Sequence, residues 1–170
     1  YDHDRGQMVF LWGDIGSGVN REDAWGFTPA PAARWTRYGS GCPGSNGTPD
    51  LATAPGSLPS LGTTFTLMAS NLPAAGGILY IAYGFDLGQA AGQPLPFDLG
   101  GIGMAGCSLW MAPALGSSVA HSAGTVNVSM GIPNLPVIAG TRFAAQALVL
   151  DPGAPNGIGT VSNAGIGTIQ

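Results

Sequence analysis

Lysine is absent from this chain of 170 residues, and glutamate occurs once, as Glu22. Only 8% of the residues are charged, the cations being Arg5, Arg21, Arg34, Arg37 and Arg142; a soluble domain usually carries about 25%. Helix surfaces draw on Lys, Glu, Arg and Gln and reject Gly and Pro. With 29 glycines and 14 prolines, the chain is therefore no helical bundle. Phosphate neutralisation needs clustered cations, which excludes nucleic acid as a partner. Disorder is disfavoured by 45% hydrophobic residues and a positive mean hydropathy. No apolar run approaches the roughly 18 residues of a membrane-spanning helix. What remains is an all-β, loop-rich fold of one-domain length.

Charge divides the chain. Residues 1–37 hold nine of the charged residues and Trp12, Trp25 and Trp35, three of the four tryptophans. Residues 38–170 hold only Asp50, Asp86, Asp98, Arg142 and Asp151. We therefore expect an N-terminal extension over 1–37 and a β-domain over 38–170. Within the extension, Met8-Val9-Phe10-Leu11-Trp12 is a continuous apolar run between glycines, which reads as a strand buried on both faces. A short helical turn is expected near Asn20–Ala24, and Pro29 and Pro31 then impose an extended path.

The body reads as strands and turns. Residues 63–70 set Phe65, Leu67 and Ala69 against Thr64, Thr66 and Met68. Residues 77–85 are apolar on both faces and look central. Residues 106–112 place Cys107, Leu109 and Met111 together. Residues 125–130 alternate around Val126, Val128 and Met130. Residues 142–150 put Phe143, Ala145, Ala147 and Val149 on one face. Gly157–Gln170 holds GIGT twice around Ser162-Asn163-Ala164 and reads as a final hairpin. Short strands with Pro/Gly turns between them predict an antiparallel two-sheet sandwich, immunoglobulin-like or jelly-roll-like.

Cys42 and Cys107, the two cysteines, are compatible with one long-range disulfide or with two buried thiols. Neither has the spacing of a metal ligand set. A first residue other than Met points to a processed chain that has lost a signal peptide or to a trimmed one, and with the cysteines this favours secretion.

Three stretches carry a resemblance: YGSGCPGSNGTPDL at 38–51, LPFDLGGIGMAGCSLWM at 95–111 and IPNLPVIAGTRFAAQALVLDPGAPNGIGTVSNAGIGTIQ at 132–170. Over about 38–170 the chain resembles a secreted β-domain, often C-terminal, that recurs in extracellular proteins of planctomycetes and related bacteria. The resemblance implies an extracytoplasmic β-domain in which Cys42 pairs with Cys107. It implies no activity and no site residues.

Catalytic chemistry finds little to work with. His3 lies in Asp2-His3-Asp4, whose plainest reading is a solvated terminus, and His121 sits in an expected turn. No G-x-S-x-G elbow occurs, and one Glu leaves no convincing carboxylate pair for glycoside hydrolysis. Gly101-Ile102-Gly103-Met104-Ala105-Gly106 matches G-x-G-x-x-G, but a strand-like stretch follows it and no acid lies between Asp98 and Asp151, so the dinucleotide reading fails. Asp86, Asp98 and Asp151 are isolated and suit turns better than calcium. Asn46-Gly47-Thr48 and Asn127-Val128-Ser129 are sequons. We expect no enzyme, no cofactor and no metal.

Two functional expectations follow from the surface. Thin charge cover and neutral Gly/Ser/Thr/Asn side chains allow close contact between copies at low desolvation cost. The first expectation is therefore an extracellular structural subunit that self-assembles, with Met8, Val9, Phe10, Leu11 and Trp12 added as a strand to a neighbour's sheet and Trp25 and Trp35 as anchors. The competing reading keeps that strand within its own domain. The second expectation is an adhesive module that stacks surface glycans on Trp12, Trp25, Trp35 and Tyr38.

Overall fold

The computed structural model of the protein describes residues 8–10, 25–27, 32–122 and 124–170. The strands in chain order are β1 (Met8–Phe10), β2 (Trp25–Phe27), β3 (Arg34–Tyr38), β4 (Asp50–Thr53), β5 (Thr64–Ser70), β6 (Gly77–Gly84), β7 (Gln89–Ala90), β8 (Gln93–Pro94), β9 (Phe97–Asp98), β10 (Ser108–Leu109), β11 (Leu115–His121), β12 (Val126–Gly131), β13 (Arg142–Leu150) and β14 (Gly159–Thr168). Among the described residues, two short 3-10 turns, Leu99–Ile102 and Pro136–Ile138, interrupt them.

Tyr1–Pro31 and Ala32–Gln170 form separate units. In the first, β1 pairs antiparallel with β2, setting Val9 opposite Gly26. The helical turn expected near 20–24 lies outside the described residues. In the second, a five-stranded sheet in the order β11-β6-β13-β14-β3 faces a three-stranded sheet in the order β12-β5-β4. All the pairings are antiparallel.

The expected alternation builds the core. Phe65, Leu67 and Ala69 from β5 meet Leu79, Ile81 and Tyr83 from β6 and Phe143, Ala145, Ala147 and Val149 from β13, with Leu51 and Val128 closing the sides. Successive residues of a strand point to opposite faces, so these positions form the dry layer between the sheets. The fold is thus an all-β antiparallel sandwich.

Three expectations need correction. The boundary falls near residue 31, because Arg34–Tyr38 is an edge strand of the body, setting Gly165 opposite Arg37. The last segment is one ten-residue strand, not a hairpin. Its glycines are floor space: a Cβ on Gly165 would stand 2.0 Å from the Trp35 indole, and one on Gly167 would stand 2.5 Å from the Phe143 ring. Finally, of 106–112 only Ser108 and Leu109 pair as strand. Cys107 and Leu109 pack with Leu99, Met104 and Val161, whereas Met111 packs with Ala82 and Ala144.

These last clusters lie on the outer face of the five-stranded sheet. The connection from β6 to β11 folds over part of that face. It is pinned by the Cys42–Cys107 disulfide, which spans 65 residues. A second pin is Gln146, 3% exposed. Its Nε2 donates to the carbonyls of Ser108 (3.0 Å) and Ser162 (2.9 Å), and its Oε1 accepts from the Trp110 N–H at 3.0 Å. All of its hydrogen-bonding groups are used, as a buried amide requires.

The register between β13 and β14 shifts by one residue between Gln146 and Leu148. Ser162 and Asn163 together stand opposite Ala147 there, a β-bulge. The bulge turns the Asn163 carboxamide onto the β4 backbone, where Oδ1 accepts from the Leu51 N–H (2.9 Å) and Nδ2 donates to the Leu51 carbonyl (3.0 Å). It ties the two sheets together along one side. Arg37 and Asp50 pair across the same side.

Candidate functional site

The two sides of the sandwich differ. The β3/β4 side is closed by the Arg37–Asp50 pair and by Asn163. On the opposite side lies β11, whose paired neighbour among the described residues is β6. Its sequence, LGSSVAH, has no charge and no proline, and its register with β6 runs unbroken from Leu115 opposite Tyr83 to His121 opposite Gly77. Leu115, Gly116, Ser117, Ser118 and Ala120 are exposed. Proteins usually blunt a sheet edge with lysine, proline, a bulge or a covering segment. Charge, proline and bulge are all missing from β11.

Sequence reasoning passed over this strand. Its glycine and paired serines look like a turn, and the only pattern is a weak period of two through Leu115, Ser117 and Val119. His121 is not in a turn but ends the strand, buried, and neither ring nitrogen has a hydrogen-bond partner among the described residues.

Beside β11, the outer face is apolar and open where the β6–β11 connection does not reach. Ile78, Tyr80 and Leu150 are exposed there. Ile78 and Tyr80 stand opposite Ala120 and Ser118 of β11. So β6, expected to be apolar and central, is interior to its sheet but covered on one face only over part of its length.

The residues singled out from the sequence scatter. Leu11 and Trp12 lie outside the described residues, as do the side chains of Met8, Val9, Phe10 and Trp25; the backbone of Met8–Phe10 is strand. Trp35 is no outward platform. Its ring packs 5.6 Å from Phe65 and 6.3 Å from Phe143, centroid to centroid, because alternation along β3 turns it into the core. Tyr38 points to the outer face and is spent on the covering connection. Its phenol donates to the Trp110 carbonyl at 2.8 Å, its ring meets the Trp110 ring edge-on at 6.2 Å, and the Trp110 indole N–H donates to the Ser40 carbonyl at 2.9 Å.

The acids hold turns. Asp86, Asp98 and Asp151 each accept the N–H of the glycine two residues on, at 2.8, 2.8 and 3.1 Å, the Asx-turn arrangement. Asp151, 2% exposed, also accepts the Ser45 N–H at 2.6 Å. Among the described residues no three His, Cys, Asp or Glu side chains approach closely enough to hold a metal ion. No described helix is long and apolar enough to cross a membrane.

Burial pushes the phenols of Tyr38 and Tyr83 up, each to about 12 from an ordinary 10.0. The folded chain keeps protons that the unfolded chain gives up. Stability from these groups is thus complete below pH 10 and lost as the pH rises through 12. A spectrophotometric titration of the four tyrosines should show a late-ionising pair whose release coincides with alkaline unfolding. Tyrosines that all ionise together near 10 would contradict this burial.

Comparison with protein-family models finds no match for this chain, and none of the curated proteins matches it.

Proposed function

We propose that the protein is a non-enzymatic structural subunit that assembles with its own copies outside the cell, an apolar N-terminal strand of one copy extending a sheet of the next. The observation that carries this reading is β11, a seven-residue edge strand with no charge, proline or bulge along it. Such an edge offers a row of backbone donors and acceptors to an incoming strand. The neutral Ser and Gly side chains along it cost little to desolvate. The segment around β1 is a fitting donor. A two-stranded ribbon of three-residue strands buries too little to stand alone in water, and pairing with a sheet edge gives it further partners. A head-to-tail contact of this kind does not close on itself and propagates into a filament.

An extracytoplasmic setting agrees with the Cys42–Cys107 disulfide, since such bonds persist in oxidising compartments. Of the glycan-stacking candidates, Trp35 and Tyr38 are engaged within the fold.

Size-exclusion chromatography with light scattering and negative-stain imaging test the reading. The full chain should form concentration-dependent polymers. Deleting residues 1–13, which removes β1, should leave monomers whose body melts as in the full chain, and so should Ser118→Lys, which places a cation on the edge. Polymers of undiminished length in both variants would overturn strand addition, and a full chain that stays monomeric at high concentration would overturn assembly itself.

A further inference from the structure

The described arginines are unevenly placed. Arg37 is paired with Asp50. Arg34 and Arg142 are the other two, and neither meets a carboxylate within ion-pair distance among the described residues. They share one row of the five-stranded sheet: Arg142 stands opposite Thr168 on β14, and Thr168 stands opposite Arg34 on β3. The neighbouring row, Phe143, Gly167 and Trp35, faces the core. Strand alternation therefore turns Arg142 and Arg34 to the outer face, about 10 Å apart across two strand spacings of ~4.8 Å. In a chain of net charge −4, this is a local cationic row.

Next to it is a cavity of about 230 Å³. Ala144 and Ile166 form its floor, Leu87 and Phe85 stand beside them, and Arg142 lies in its wall. Phe85 is 64% exposed, so the cavity offers an uncovered aromatic ring. The volume is below that of a drug-sized site and suits one ring-sized group. The combination is specific: a floor of apolar side chains, an aromatic ring beside it, and planar forks of N–H donors that match a carboxylate in two-point fashion.

We infer that this cavity binds a uronate unit of an acidic polysaccharide. The carboxylate meets Arg142, with Arg34 receiving the next acidic unit along the chain, and the C–H face of the sugar ring lies against Phe85. Two cations in one row, two strand spacings apart, favour a repeating anion over a single small acid. The inference is independent of the assembly reading, since the row lies across the sheet from β11, next to the opposite edge.

The test is isothermal titration calorimetry of the full chain with trigalacturonate, with maltotriose as the neutral probe and phenylacetate as the non-sugar acid. Binding of trigalacturonate should exceed binding of either comparison probe about tenfold or more, the size expected for a charge-assisted hydrogen-bond pair, and should weaken with added salt. Arg142→Gln should lower it by at least about tenfold and Arg34→Gln by a smaller factor. Both side chains are exposed, and thermal melts like that of the parent will show that the variants fold. Phe85→Ala should weaken trigalacturonate and leave the salt dependence intact. No binding of trigalacturonate, equal binding of maltotriose, equal binding of phenylacetate, or indifference to both arginine variants would each overturn the inference.

Discussion

Truncating Phe65 to alanine should lower the free energy of unfolding by about 4 kcal/mol, the usual loss for a large aromatic in a well-packed core. Phe65 is fully buried between the two sheets. It touches Trp35 from the edge strand β3 and Phe143 from β13, the latter edge-on at 5.9 Å. Three aromatic rings from three strands thus fill one space between the sheets. The cavity left by truncation cannot close easily, because β14 beneath Trp35 and Phe143 is already stripped to glycine at Gly165 and Gly167. A total stability of 5–15 kcal/mol is usual for a domain, so the variant should sit close to its unfolding threshold. Urea titration should show a lower midpoint at unchanged slope. A loss under about 1 kcal/mol would mean that the core repacks around the gap, contrary to this account.

Replacing Cys42 and Cys107 together by alanine should cost about 4 kcal/mol, the loop-closure value for a bridge spanning 65 residues. The damage should be local first. The bridge holds the β6–β11 connection on the outer face, where Leu99, Met104, Cys107 and Val161 form a small apolar cluster. Without it, that cluster and the Tyr38–Trp110 contact should loosen before the main core does. Near-ultraviolet circular dichroism, sensitive to Trp110, should fall while the far-ultraviolet signal persists. Simultaneous loss of both signals at one midpoint, or a cost near zero, would show that the connection is held by Gln146 and packing alone.

The strand pattern was legible where one face was wet. Phe65, Leu67 and Ala69, and likewise Val126, Val128 and Met130, alternate with polar residues because β5 and β12 belong to a sheet covered on one side. The pattern failed where both faces are covered. On β14 every residue but Ile166 is buried, and the bulge at Ser162-Asn163 resets the period, so the run of small residues looked like a turn. Glycine there serves the bulk of Trp35 and Phe143, which belong to other strands. The site was less legible than the fold. An edge strand such as β11 is marked by what its neighbours leave uncovered, and LGSSVAH carries no trace of that.

By itself, the sequence determined that this chain is β-structured, poor in ions and stapled at most once. Those properties follow from residue chemistry and local backbone preference, which need no partner. Only the tertiary structure decided that Trp35 is core, that Tyr38 clamps the β6–β11 connection, that β11 is an edge, and that Arg34 and Arg142 share a row. Each of these depends on which strands become neighbours, and neighbour choice is set by long-range packing between distant segments, as between Arg34 of β3 and Thr168 of β14.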